Sequence, residues 1–124
     1  MNKKEFKNFR KQLGKTQRQM AQLLGVSLKA VHSYEQGWRS VPSYVERQIF
    51  FLISRKQKDF EDRIPCWVIK NCPSEKKTHC PAWEFNAGDL CWFINGTICD
   101  GIVRKKWGEK MAFCRSCDIF KSLL

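Results

Sequence analysis

A chain of 124 residues has room for one or two small domains, which excludes the large buried core of a multi-step enzyme. Its 23 Lys and Arg against 12 Asp and Glu give a formal net charge of +11. That balance excludes an acidic surface and points to a polyanionic partner, through long-range attraction and release of condensed counterions.

The basic start Lys3–Lys7 is not followed by the apolar stretch of an export signal, and the longest strongly apolar run, Ile49–Ile53, is too short to cross a bilayer. The expectation is a cytoplasmic protein without a membrane partner, its thiols kept reduced. Residues 1–64 hold 14 basic and 6 acidic side chains, residues 65–124 hold 9 and 6, and all seven cysteines lie at or beyond Cys66. Two compositions in one chain predict two domains: residues 1–56, a charged linker or helix extension at 57–64, and a cysteine-rich domain at 65–124. The fold class expected is α+β, an all-α domain followed by a small, largely irregular metal-binding domain with a short β-hairpin.

From Lys3, apolar Phe6, Phe9 and Leu13 recur at helical spacing, and Gly14 supplies a stop. Thr16 is a good cap for a second helix carrying Met20, Ala21, Leu23 and Leu24 on one side, with Gly25 at its end. Ser27 can cap a third helix to about Gln36, its inward face Ala30, Val31 and Tyr34, and Gly37 closes it. Pro42 or Ser43 opens a fourth, with Val45, Ile49, Leu52 and Ile53 turned inward. Met20, Leu23, Val31 and Ile49 are expected in the core. The turn Gly25-Val26-Ser27 holds two short helices at a steep angle, so that the second can enter a major groove while the first braces across the backbone.

The string Thr16 to Ser27 (TQRQMAQLLGVS), then Val31, Tyr34-Glu35-Gln36-Gly37 and Pro42, resembles the lambda repressor/Cro-type (XRE-like) helix-turn-helix family over about residues 3–55. The resemblance implies double-stranded DNA as partner and a homodimer on a near-palindrome, since one unit covers one half-site. It implies that Gln17 contacts phosphate or supports a base contact, that Lys29 reads bases, and that Glu35 is structural. Leu28, His32 and Ser33 fall on or beside the exposed face, where Leu28 is suited to a thymine methyl. Trp38, Arg39 and Ser40 occupy the loop that meets the sugar-phosphate backbone. Ser27 and Arg18 complete the expected DNA-contacting set, and Arg10, Lys11, Lys15 and Arg18 suit a phosphate-facing rim.

The cysteines Cys66, Cys72, Cys80, Cys91, Cys99, Cys114 and Cys117 are separated by 5, 7, 10, 7, 14 and 2 residues. Only Cys114-Arg115-Ser116-Cys117 has the two-residue spacing that lets two thiolates bite one metal, whereas a zinc ribbon needs two such knuckles. Reduced thiols crowded into sixty residues read as metal or cluster ligands, whose binding energy would supplement a small core. Trp67, Trp83, Trp92, Phe93 and Trp107 are expected to pack round the centre, and His79 is a weaker alternative ligand. The Asn95-Gly96 pair predicts a type I′ turn in a hairpin over Leu90–Cys99.

Cys66-Trp67, Cys72-Pro73, Cys80-Pro81-Ala82, Cys91-Trp92, Gly96-Thr97, Cys99, Gly101, Lys110, Cys114-Arg115-Ser116-Cys117 and Phe120 together resemble the two-CW cysteine-rich domain of bacterial signalling proteins. That resemblance implies a signalling-associated module. Chemistry favours an iron–sulfur cluster, with zinc or reversibly oxidised thiols as alternatives. All seven cysteines are candidate ligands. The function expected is a sequence-specific transcriptional regulator that senses redox or metal state. The alternative is a DNA-binding adaptor whose cysteine-rich domain holds structural zinc and docks a partner protein. With no nucleophile–His–carboxylate set, no phosphate-cradling loop and no βαβ pattern around Cys114 and Cys117, the sequence does not suggest an enzyme.

Overall fold

A computed structural model describes residues 1–56 and 64–122; most of the expected linker, 57–63, lies outside the described residues. The chain divides into two compact units, Met1–Gln57 and Lys58–Leu124. Among the described residues no helix is long and apolar enough to cross a membrane.

The first unit is a set of helices, the first three each begun by a side chain that satisfies an otherwise orphaned backbone N–H group. Helix α1 (Lys3–Gln12) starts with a reciprocal box: the Asn2 side chain accepts from Glu5 N (2.9 Å) while the Glu5 carboxylate accepts from Asn2 N (3.3 Å). Thr16 and Gln19 repeat it for α2 (Gln17–Leu24), at 3.1 and 3.0 Å. Ser27 Oγ accepts from Ala30 N (3.0 Å) to open α3 (Leu28–Gln36). Gly25 (φ +66°) and Gly37 (φ +78°) end α2 and α3 in the left-handed region, where a Cβ would strain the backbone. Helix α4 (Ser43–Lys56) returns across the others, and Lys56 Nζ donates to Leu13 O (2.6 Å), fastening its end to the α1–α2 turn.

Phe6, Met20, Val31, Val45 and Ile49 are fully buried and form the centre of this core, with Phe6 edge-on to Tyr34 (centroids 5.5 Å apart). Leu23 is a correction: it is 45% exposed. Residues 20, 21 and 24 share one face of α2, and 23 falls a quarter-turn away from them; its apolar character alone does not bury it.

The second unit is more helical than expected. Three single-turn helices, α5 (Cys66–Ile69), α6 (Ser74–Lys77) and α7 (Pro81–Glu84), are followed by β1 (Ile98–Cys99), β2 (Ile102–Val103), α8 (Trp107–Cys114) and α9 (Asp118–Lys121). Each single-turn helix begins at a proline, Pro65, Pro73 or Pro81, whose ring presets φ for entry into a helix. The hairpin is also relocated. Residues 90–97 run in turns, and the antiparallel pair is Ile98↔Val103 and Cys99↔Ile102, closed by Asp100 (φ +53°) and Gly101 (φ +74°). Asp-Gly meets the same turn requirement as Asn-Gly, while Trp92, fully buried against Phe120 and donating from Nε1 to Asp89 O (3.2 Å), holds the 90–97 segment in its coil.

Gly88 is the tightest point of this unit. Cys66 N donates to Gly88 O (3.0 Å), and a Cβ on Gly88 would stand 2.6 Å from Pro65 Cβ, 2.8 Å from Pro65 Cα and 2.9 Å from Trp67 Cζ3. Gly88→Ala is therefore expected to destabilise the second unit by about 1–3 kcal/mol through overpacking. Urea unfolding followed by tryptophan fluorescence checks this; an unchanged midpoint would show that the approach is not tight.

Candidate nucleic-acid interface and thiol cavity

On α3 the two faces separate cleanly. Ala30, Val31 and Tyr34 are buried at 5, 0 and 2% exposure, while Leu28 (43% exposed), Lys29 and His32 form one solvent-facing stripe. The His32 ring stands edge-on to Trp38 (5.5 Å), itself 74% exposed in the loop after α3, where Arg39 and Ser40 are also exposed. The Tyr34 hydroxyl has a raised pKa, chiefly from burial and also from Tyr44, against the lowering effect of Arg39. Ser27 and Ser33 use their hydroxyls inside the helix, Ser27 as cap and Ser33 donating to Lys29 O (2.9 Å).

A second arrangement lies one turn beyond this stripe on the same helix. The Glu35 side chain, 4% exposed, accepts from Arg10 Nε of α1 through one oxygen and from Gln17 Nε2 of α2 through the other. Arg10 Nη1 also donates to Lys15 O (2.9 Å). Arg10 is thus committed to the interior of the unit, which removes it from the expected phosphate rim; Lys11 and Arg18 are exposed. Gln17, expected at the duplex, is held at the start of α2 by α3.

These features meet on one stretch of chain: a capped α2, a left-handed glycine, a capped α3 and its exposed stripe. Residues 6–44 match the helix-turn-helix family. Within the helix-turn-helix domain, α2 is the first helix of the motif and α3 the second. The match ends at Tyr44, so the two-CW resemblance of the second unit rests on its residues alone. No curated protein and no solved structure matches the chain.

In the second unit all seven cysteines line one cavity of about 100 Å³. Cys80, Cys91, Cys114 and Cys117 are buried, and Cys66, Cys72 and Cys99 are half-buried. The prolines explain part of this convergence, because Cys66, Cys72 and Cys80 each adjoin one that starts a helical turn. Trp67, Trp92, Phe113 and Phe120 contribute apolar walls, Lys70, Lys76 and Lys77 cations, and Asp100 a carboxylate. Of the other expected aromatic walls, Trp83 is 40% exposed and packs behind Trp67 (4.9 Å), Phe93 is 37% exposed, and Trp107 does not line the cavity. His79 is exposed and outside it. Among the described residues no three His, Cys, Asp or Glu side chains are arranged to hold a single ion.

The thiols are not equivalent. A hydrogen bond from Cys91 holds the Cys66 pKa below the ordinary thiol value, and the same bond, with burial, drives Cys91 far up. Burial raises Cys72 and Cys99, and pushes Cys114 up to about 11. Ile98 N donates to Cys80 Sγ (3.3 Å). Sequence spacing favoured Cys114 and Cys117 as a chelating pair; the pairing of Cys66 with Cys91 across 25 residues has no local signal.

A lowered pKa means more thiolate at a given pH, and alkylation follows the thiolate. In the reduced, metal-free chain at about pH 8, a short iodoacetamide pulse is expected to label Cys66 well ahead of Cys99 and Cys114, as read by peptide mass spectrometry. Labelling of Cys114 first would contradict the Cys91–Cys66 bond.

Proposed function

We propose that the chain is a sequence-specific DNA-binding transcriptional regulator whose cysteine-rich unit holds a thiolate-bound metal centre and transmits its redox or metal state to DNA binding. The observation that carries the DNA reading is the stripe Leu28-Lys29-His32, solvent-facing on the second helix of a helix-turn-helix domain and backed by a fully packed face. Lys29 is assigned to base edges, Leu28 to a thymine methyl, and Arg18, Arg39 and Ser40 to phosphates. The unit acts as a homodimer on two half-sites.

For the centre, an iron–sulfur cluster suits the cavity better than a lone zinc. Zinc requires every sulfur at about 2.3 Å from one point, and among the described residues no three side chains converge so. A cluster spreads its ligand positions over several irons and fills a wider space. The Ile98 N–H aimed at Cys80 Sγ is the kind of contact that tunes a ligating sulfur. The adaptor reading, with structural zinc and a docked protein, draws support from Val68, Ile69 and Phe85, exposed at 58, 42 and 67%.

Two measurements test the proposal. On duplexes enriched by the chain from a random pool, Lys29→Ala is expected to weaken binding about tenfold and relax base preference at one position. Fluorescence anisotropy at fixed salt reads this, and equal affinity for enriched and scrambled duplexes would remove the DNA reading. Anaerobic purification is expected to give a chain with iron and acid-labile sulfide; stoichiometric zinc without sulfide would transfer support to the adaptor.

A further inference from the structure

Lys110 is only 4% exposed, on α8, yet among the described residues it pairs with no carboxylate; its Nζ donates to the Thr97 hydroxyl. It stands directly behind the cavity wall. A recess of about 10 Å³ is lined by Thr97, Cys99, Arg104, Lys110, Phe113 and Cys114, and four of these, Thr97, Cys99, Phe113 and Cys114, also line the cysteine cavity. Its positive charge favours the ionised forms of Cys66, Cys99 and Cys114. Arg104 reinforces it, stacked at 3.8 Å on Phe113 and donating to Cys99 O (3.2 Å).

A buried ammonium with only a hydroxyl for partner is costly, because taking a charge out of water is repaid only by an opposite charge nearby. With all seven thiols protonated, no carboxylate among the described residues lines this recess; Asp100 lines the cysteine cavity but not the recess. Four cysteines ligating a cluster core of charge 2+ leave a net charge of about −2, each ligating thiol passing its proton to solvent as the metal–sulfur bond forms. The missing anion is then the centre itself.

We infer that Lys110 is the built-in counter-cation of an anionic metal–thiolate centre in the cysteine cavity, placed behind Cys99 and Cys114 and held by Thr97. This rests on the metal-centre part of the proposed function and adds the sign of the centre's charge and the residue that compensates it. Lys110 is a positioning and charge-balancing residue, not a ligand.

The test uses the full chain purified anaerobically, with Lys110→Met, Lys110→Arg and wild type compared. Two quantities are read: the rate at which excess chelator removes the metal, and the urea midpoint of the metal-free, reduced chain. A counter-cation gives opposite signs in the two states. K110M is expected to lose its metal about tenfold faster or more, since it leaves the anion uncompensated. Its metal-free form is expected to be as stable as wild type or more so, because a lone buried charge has gone, and K110R is expected to hold metal like wild type. Metal loss from K110M at the wild-type rate overturns the counter-cation role while leaving the metal centre intact. Destabilisation of K110M in both states alike shows a lysine that is merely structural, and also overturns it. Wild type that carries no metal removes the centre itself and the inference with it. If K110M does not fold, K110Q, which keeps a hydrogen bond to Thr97 without the charge, is read in its place.

Discussion

The Glu35 carboxylate joins three helices at one buried point. It lies on α3 and takes one hydrogen bond from Arg10 of α1 and another from Gln17 of α2. A carboxylate so nearly excluded from water is tolerable only with its charge met and its oxygens bonded, so the three helices are held to the geometry that satisfies it. The angle of α3 against α2, and with it the direction in which Lys29 and His32 face, follows from that constraint together with the packed face Ala30, Val31 and Tyr34. The exposed stripe owes its rigidity to what lies beneath it.

The cysteine cavity obeys a related rule with the charges reversed. Burial raises most of the thiols, so the metal-free unit resists forming thiolates, while cations gather at the same wall: Lys70 and Arg104 over Phe113, Lys76 and Lys77 on the lining, and Lys110 behind it. Thiols that are hard to ionise and cations that lack anions are two halves of one mismatch. The proposed thiolate-bound metal centre would resolve both, and a unit whose charge balance depended on such a centre would be suited to respond to its loss or oxidation.

The first unit was legible because its signals are local. Thr16, Ser27, Gly25 and Gly37 act within a few residues of themselves, and each caps or ends a helix where its type and position say it must. Leu23 and Arg10 were misjudged because hydropathy and charge do not report which way a side chain faces, nor that Glu35 would claim the arginine. The second unit was less legible. Its two candidate turns, Asn95-Gly96 and Asp100-Gly101, are locally equivalent, and the burial of Trp92 decided between them. The prolines beside Cys66, Cys72 and Cys80 start the helical turns that bring those thiols to the cavity, a role that sequence spacing alone does not announce. Lys110 stood out only as one position of the two-CW resemblance; its burial has no local signal, because a buried lysine looks like any other until its surroundings are known.

The central claim is that the exposed face of α3 lies along a duplex groove. A map of backbone amide chemical shifts, taken on the full chain as an enriched duplex is added, tests it most directly. Shifts concentrated over residues 27–33 and 38–40, with little change at residues 66–120, are what this account predicts. A map that leaves α3 unperturbed while the cysteine-rich unit responds would contradict it.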